Sequence, residues 1–522
     1  MGAVSGVALR SQPSHAVPGN PFTLGVASSP LNNVLWTRLA SEPLASDGRG
    51  GMPDHDIWIT WKVARQADKT DIIASGQAAT EAEWGHSVHV EVPDLPQNTE
   101  VFYWFEYGVD PEGNPFSSRV GRLKTAPAFS SAADFTLRVG VISCTNLEHG
   151  YFHSYRNIAA QQLDLVVCLG DFIYADSYLS EGGHAKVRTH LPEGAPNEEC
   201  FTLADFRVRH AQYRLDEWEQ ELRASTGMLF TIDDHEIDND WGGSSPEAQF
   251  SAGPKTFWQR RENGLRAFWE NLPLPNDMRP QLSLMPNTYR TLHWGRLADF
   301  HLLDTRQFRS KVSRERNTHE HQYMLGPVQL SSLGHRYRGA RWDFLLNQLV
   351  MAYWDVGETI VPGLVYLANV NAWDGYTKER ERVVQQWVER GVRNPVVLTG
   401  DIHAASAGRV RSLSGEVMAC EVVTSSVSSG GNGRGDWDTL GAQALINRLL
   451  SSPDTDMFGQ RRGWVKLVID QTATRVEWRG TTTISSEWQQ PDELFARAVI
   501  PDGLRTFDDR YSQNGSDFTW EV

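Results

Sequence analysis

Leu165-Val-Val-Cys-Leu-Gly-Asp-Phe-Ile-Tyr174 sets an apolar run of strand length directly against Gly170, Asp171 and Tyr174. An apolar run without alternation suits a strand buried on both faces, as in parallel sheets. Its polar end matters because ligands of α/β sheets gather beyond the carboxyl ends of strands. Upstream, Leu137-Arg-Val-Gly-Val-Ile142 has the same form and runs into Ser143, Cys144, Thr145 and Asn146. A helix-like stretch, Tyr151 to Gln162, separates the two runs. Strand, helix and strand form a βαβ unit, hence a parallel sheet with a right-handed crossover. Downstream, Met228 to Ile232 leads into Asp233, Asp234, His235 and Glu236, and Pro395-Val-Val-Leu-Thr399 leads into Gly400, Asp401, Ile402 and His403. Helical patterns recur at about 204–223, 257–271 and 377–390, and Gly463–Asp470 with Thr474–Trp478 reads as a hairpin. This is an α/β body.

Taken singly, each polar ending has an ordinary explanation. A lone Gly-Asp after a strand is usually a turn. A lone cysteine is usually a small buried residue. Asp233 to Glu236 fits a solvated helix start, since Asp favours N-caps. Together the four endings supply carboxylate, thiol, phenol and imidazole groups, all metal-ligand types, and glycine at two of them lets backbone pass close to an ion. Four independent strand ends so equipped point to a metal centre.

Ahead of this body, Phe22–Val26, Val34–Arg38, Asp56–Val63, Ser87–Val92 and Val101–Tyr107 are short runs rich in β-branched and aromatic residues, punctuated by Gly, Pro, Asp and Asn. Regular strand spacing without helical periodicity suggests a small β-sandwich. Asp94 to Tyr103 resembles the strand-to-strand corner of a fibronectin-type module, and 127–133 reads as a linker. The division expected is 1–128 for the β module and 134–522 for the catalytic body, in keeping with a length of 522 residues.

A hydrophobic content of 40% and a charged content of 22% describe an ordinary globular protein. The formal net charge of −16 argues against binding to a nucleic-acid backbone, which asks for a basic face. No run approaches the ~18 apolar residues of a membrane span. Cys144, Cys168, Cys200 and Cys420 are too few and too scattered for a disulfide framework. Met1 to Arg10 lacks the basic and apolar regions of a signal peptide. The expectation is therefore periplasmic or extracellular if a signal has been removed, and cytoplasmic if Met1 is the native start. No Gly-x-Ser-x-Gly occurs, which disfavours a serine nucleophile. Gly430 to Asp436 reads as a plain loop, and His293 and His301 as structural histidines.

The motifs Gly170-Asp171-x-x-Tyr174, Asp234-His235-Glu236 and Gly400-Asp401-x-His403 resemble the calcineurin-like metallophosphoesterase superfamily. The closer resemblance is to the alkaline phosphatase D (PhoD-like) family. It is carried by Pro21 to Ser28 and Val34 to Leu39 in the β module. In the body it rests on Ser143-Cys144, Gly170 to Tyr174, Asp233 to Glu236, Leu303 to Arg309, Met324 to Gly326, Trp373 to Tyr376 and Gly400 to His403. Ser28-Ser29-Pro30 departs from the family's Ser-Gly-Asp-Pro, but it lies in the β module. The resemblance implies a four-layer metallophosphoesterase β-sandwich flanked by helices, behind an N-terminal all-β, fibronectin- or Ig-like domain. It implies a ferric ion on Cys144, Asp171, Tyr174 and His403 beside calcium on Asp234 and Asp401, with Asp171 bridging. Phenolate and thiolate suit a trivalent ion, and carboxylates an oxygen-loving one. Other divalent metals are the alternative, and Asp233 could replace or join Asp234. His235 would donate a proton to the leaving oxygen or stabilise the transition state, and Arg306 would clamp phosphate. The implied activity is hydrolysis of a small phosphate ester by a metal-activated hydroxide attacking phosphorus in line. The alternatives are a phosphotriesterase or a phospholipase-like phosphodiesterase on the same site and, from another class, a non-catalytic calcium-binding protein.

Overall fold

The computed structural model describes residues 19–130, 135–176, 187–188, 198–246, 257–281, 286–310, 322–354, 371–430, 450, 452–512 and 518–520. Much of 176–203 and 240–256 lies outside these residues. So do 131–133 of the expected linker and 431–436 of the glycine-rich loop.

Two mixed sheets form the body. The first runs Met228–Phe230, Leu165–Cys168, Leu137–Ile142, Gly463–Ile469, Ala473–Gly480, Glu493–Pro501 and Asp508–Ser512, its first three strands parallel and the rest antiparallel. The second runs Arg290–Trp294, Ala298–Leu302, Trp342–Leu346, Pro395–Thr399, Val417–Val423, Ala405–Arg411, Thr455–Gly459 and Phe518–Trp520, with parallel strands at its centre. Alternation along each strand divides the apolar residues between two cores. Leu165, Val167 and Leu169 meet Phe344, Leu346, Val396 and Leu398 between the sheets. Val166 and Cys168 face outward, onto the helices that carry Tyr155, Tyr213, Leu265 and Phe268. On the far side, Leu345 and Val397 pack against Leu330, Leu333, Val383 and Trp387 of the helices Gly326–Arg336 and Thr377–Glu389. Helix, sheet, sheet and helix make four layers, and each fully buried Val or Leu contributes about 1.5–3 kcal/mol.

The N-terminal module is all-β and antiparallel. Val26–Ser29, Val34–Arg38 and Ser87–Glu91 form one sheet; Ile72–Thr80, Ile57–Ala64, Glu100–Tyr107, Phe116–Ser117 and Gly121–Lys124 form the other. Both line a core of Val26, Leu35, Ile59, Val88, Val101 and Phe105. The module is tied to the body by directed bonds. Trp36 Nε1 donates to Glu270 O, and Arg38 donates to Arg207 O and Asn271 Oδ1. His89 stacks on Trp269 with ring centroids 3.9 Å apart.

Several boundaries differ from the sequence expectations. The pattern at 204–223 is two helices, Leu203–Arg214 and Glu217–Ser225, because Asp216 caps the second by accepting from the amides of Trp218 and Glu219. The strand expected at Phe22–Val26 begins only at Val26. Ile72–Thr80 and the helix Gly326–Arg336 had no counterpart in the sequence reading. The hairpin of Gly463–Ile469 with Ala473–Gly480 is present. Among the described residues no helix is long and apolar enough to cross a membrane.

Candidate metal centre

The centre lies where the strands Leu137–Ile142, Leu165–Cys168, Met228–Phe230 and Pro395–Thr399 end. Past each end the chain turns sharply. Cys144, Asp171, Asp401 and His403 all adopt positive φ, between 53° and 65°, a conformation that costs a non-glycine residue energy. Two glycines permit the close approach. A Cβ on Gly170, at φ +104°, would collide with the Cβ and amide nitrogen of Asp233, and one on Gly400 with the Ser143 side chain. The strand ends meet only because those atoms are missing.

Ligand atoms of Cys144, Asp171 and His403 lie within 4.8 Å of one another. Tyr174 completes this group, its hydroxyl donating to Asp171 Oδ2 at 3.3 Å and standing 3.3 Å from His403 Nε2. A second group of the same compactness contains Asp233, Asp234 and Asp401, and a third joins Asp171 and Asp234 to His235. Asp171 thus touches both halves of the centre. The structure brings together every residue expected as a ligand.

The electrostatics show what these groups lack. Burial, and then Asp171, push the Cys144 thiol well above its usual range; burial and then Asp234 do the same to Asp171. Asp401 is raised by burial and by Asp233 and Asp234. Burial raises Asp233 to about 7 despite the neighbouring Arg306. Asp234 goes the other way, because Arg306, His235 and the Asp240 amide outweigh its burial. Crowded, buried anionic groups of this kind are relieved by cations bound among them, so the donor set fits metal ions.

His235 lies at the rim of the pair. Its amide donates to Asp171 Oδ1 and Asp234 Oδ1, its ring stacks on Tyr174 at 4.1 Å, and its Nδ1–H donates to Asp176 Oδ2 at 2.7 Å. Arg306 corrects the clamp expectation. It is fully buried, and its Nε donates to Asp233 Oδ1 at 2.5 Å. Its Nη2 lies 3.4 Å from Asp234 and 3.7 Å from Asp401, and its Nη1 3.9 Å from Asp240. A buried guanidinium among four carboxylates acts as their counter-ion.

Sequence reasoning missed three supports. Asp176 holds His235; its only signal was an acidic residue two places beyond Tyr174. Asp240 donates its amide to Asp234 Oδ2 at 2.8 Å. Glu236 braces two strand ends at once, accepting from Phe172 N at 2.6 Å and Asp233 N at 2.9 Å. Burial raises its carboxyl to about 7. His293 and His301, expected as structural, pair with Asp299 and Asp343 on the outer face of the second sheet.

The chain is similar to known proteins over most of its length. The model of the PhoD-like phosphatase family matches residues 139–478, and that of the PhoD-like phosphatase N-terminal domain matches residues 8–127. Alkaline phosphatase D of Bacillus subtilis (strain 168) is 34% identical over 489 residues, which cover 88% of this chain and 77% of that protein. A solved structure of PhoD superposes with a TM-score of 0.81 at 30% identity, over 95% of this chain and 93% of the other. A purple acid phosphatase from yellow lupin (Lupinus luteus) seeds shares the fold, with a TM-score of 0.54 at 12% identity, over 91% of this chain and 73% of that one. Matching models for both parts, a relative aligned over most of the chain and an acidic, metal-fitting centre at the strand ends lead to one conclusion: the chain belongs to the PhoD-like phosphatase family and is a metal-dependent phosphoric ester hydrolase.

Proposed function

We propose that a ferric ion is held by Cys144, Asp171, Tyr174 and His403, and calcium by Asp234 and Asp401, with Asp171 serving both. The observation that carries the assignment is the Tyr174 hydroxyl, 3.3 Å from Asp171 Oδ2 and 3.3 Å from His403 Nε2, beside the Cys144 thiol group. Phenolate, thiolate and carboxylate together offer three negative charges, which suits a trivalent ion. The second group offers carboxylates alone, the donor type that calcium prefers. When bound, ions in such a pair lower the pKa of a water and neutralise charge on the phosphoryl oxygens.

The chain's own residues do the rest. Asp176 holds the His235 imidazole in the tautomer with hydrogen on Nδ1, so that the proton passed to the leaving oxygen comes from the other edge of the ring, at Nε2. Tyr174 stacks under that ring and limits its rotation. Arg306 holds Asp233, Asp234 and Asp401 in place and favours their charged forms against their burial. Attack on phosphorus in line requires no covalent enzyme intermediate. The substrate is a small phosphate ester, monoester or diester, and a phosphotriester or phospholipid diester is the second reading on the same site.

The test is elemental analysis and a visible spectrum of protein purified without chelator, with turnover of p-nitrophenyl phosphate and its bis ester. Iron with calcium and a broad absorption band are expected. Zinc or manganese in their place would keep the hydrolase and overturn the iron assignment.

A further inference from the structure

The helix Leu203–Arg214 turns His210 and Arg214, one helical turn apart, toward the N-terminal module. The guanidinium of Arg214 is completely buried and lies 4.0 Å over the Trp36 ring. None of its three nitrogens has a hydrogen-bond partner. His210 is 1% exposed, and both its ring nitrogens are likewise without one. Buried polar groups in folded proteins are almost always paired, so a wholly unpaired guanidinium and a wholly unpaired imidazole one helical turn apart require an explanation.

The charges nearby sharpen the question. Arg223 stands against Glu219, and Arg207 makes a two-pronged contact with Glu270. Arg38 donates to the carbonyls of Gly48, Gly85 and Arg207 and to Asn271, groups without net charge. Arg38 and Arg214 have no ion-pair partner among the described residues, and Arg214 lacks hydrogen bonds as well, so positive charge is in excess beside it. Burial lowers the His210 imidazole, and the guanidiniums of Arg214, Arg223, Arg38 and Arg209 lower it further. The local field is therefore positive. A guanidinium only donates hydrogen bonds, so its complement must accept them. A water accepts but leaves the charge, whereas an anion accepts and neutralises it, and an unpaired buried charge is strongly destabilising.

We propose that Arg214 and His210, at the junction of the N-terminal module with the catalytic body, bind a small monovalent anion of the halide class. The near-complete burial of both residues favours a single-atom ion over a polyatomic oxyanion. The face of the Trp36 ring closes one side of Arg214 and leaves its nitrogens to the ion. The neighbouring Arg209, on the same helix, donates to the Tyr174 carbonyl. The helix that the anion seats is thus the one that also grips the backbone of the metal centre.

The test uses the full, metal-loaded chain. Its unfolding midpoint is measured in sodium chloride, bromide, phosphate and gluconate at matched ionic strength, and bromide-soaked crystals are examined for anomalous density. Chloride and bromide should raise the midpoint saturably over gluconate, by at least about 2 °C. Arg214→Met should lose that increment, and bromide density should lie between Arg214 and His210. Equal midpoints in chloride and gluconate with no density there would mean water only and overturn the proposal. An undiminished increment in Arg214→Met would overturn it too, by placing the ion elsewhere. Stabilisation by phosphate alone would rule out the halide class. Should Arg214→Met not fold, the bromide density in the unaltered chain decides.

Discussion

His235 Nδ1 stands 2.7 Å from Asp176 Oδ2 at the edge of the metal centre. A carboxylate there fixes which nitrogen of the imidazole carries hydrogen. Asp176→Asn should lower kcat by about 10–100-fold with little change in KM, and less for substrates with good leaving groups, which need no proton. A rate loss independent of leaving-group pKa would show that Asp176 does not act through proton donation.

Asp171 faces both halves of the centre, so Asp171→Asn should nearly abolish turnover, by at least about 1,000-fold, while circular dichroism stays unchanged. Substantial activity in metal-loaded Asp171→Asn protein would contradict the ligand assignment. The companion variant, Tyr174→Phe, should lose the visible band expected of an iron–phenolate pair. Survival of the band would clear Tyr174 of ligation.

Arg306 is the counter-ion of Asp233, Asp234, Asp240 and Asp401, and removing it leaves buried carboxylates unpaired. Arg306→Met should destabilise the chain by about 3–5 kcal/mol in urea unfolding, with Arg306→Lys between it and the wild type. A clamp on phosphate would behave differently, raising KM and sparing stability.

Metal removal should reverse the pH dependence of stability. Asp233 and Glu236 both sit near 7 in the folded chain, against ordinary values of 3.8 and 4.5, because burial disfavours their charge. A raised carboxyl binds more protons folded than unfolded, so its contribution is full below its unfolded value and is lost as pH rises through about 7. Chelated protein should therefore weaken between about pH 4 and 7. Metal-loaded protein should instead gain stability over that interval, since its ligands must be deprotonated to bind. A chelated chain that stabilises with rising pH would refute this.

The legible part of the molecule was the part written in runs. Apolar stretches ending in Gly-Asp announced Leu165–Cys168 and Pro395–Thr399, because a strand buried on both faces needs continuous apolar residues and its end needs a sharp turn. Ile72–Thr80 was hidden because its Ala, Ser, Gly and Gln carry little β preference; its pairing with Ile57–Ala64 makes it a strand. The ligand types could be read from four separate segments. Their supports could not, since Asp176, Glu236 and Asp240 act through distances that close only after folding. Arg306 illustrates the same limit: a guanidinium near phosphate chemistry invites the role of clamp, and only its burial among carboxylates reveals the counter-ion.

The bonds between module and body also bear on how this lineage diverges. Arg38 needs the carbonyls of Gly48 and Gly85 from its own side and Arg207 O and Asn271 Oδ1 from the other, while Trp36 needs Glu270 O. The helix Phe257–Asn271, which receives the bonds to Glu270 and Asn271, also carries Arg260, whose guanidinium lies 3.8 Å from Asp176. Substitutions on the two sides of this seam must therefore be inherited together. A chimaera that borrows a relative's first 128 residues keeps these bonds only where the relative has donors in place of Trp36 and Arg38; otherwise Asn271 Oδ1 and the carbonyls of Arg207 and Glu270 lose them, on the helices that stand behind Asp176.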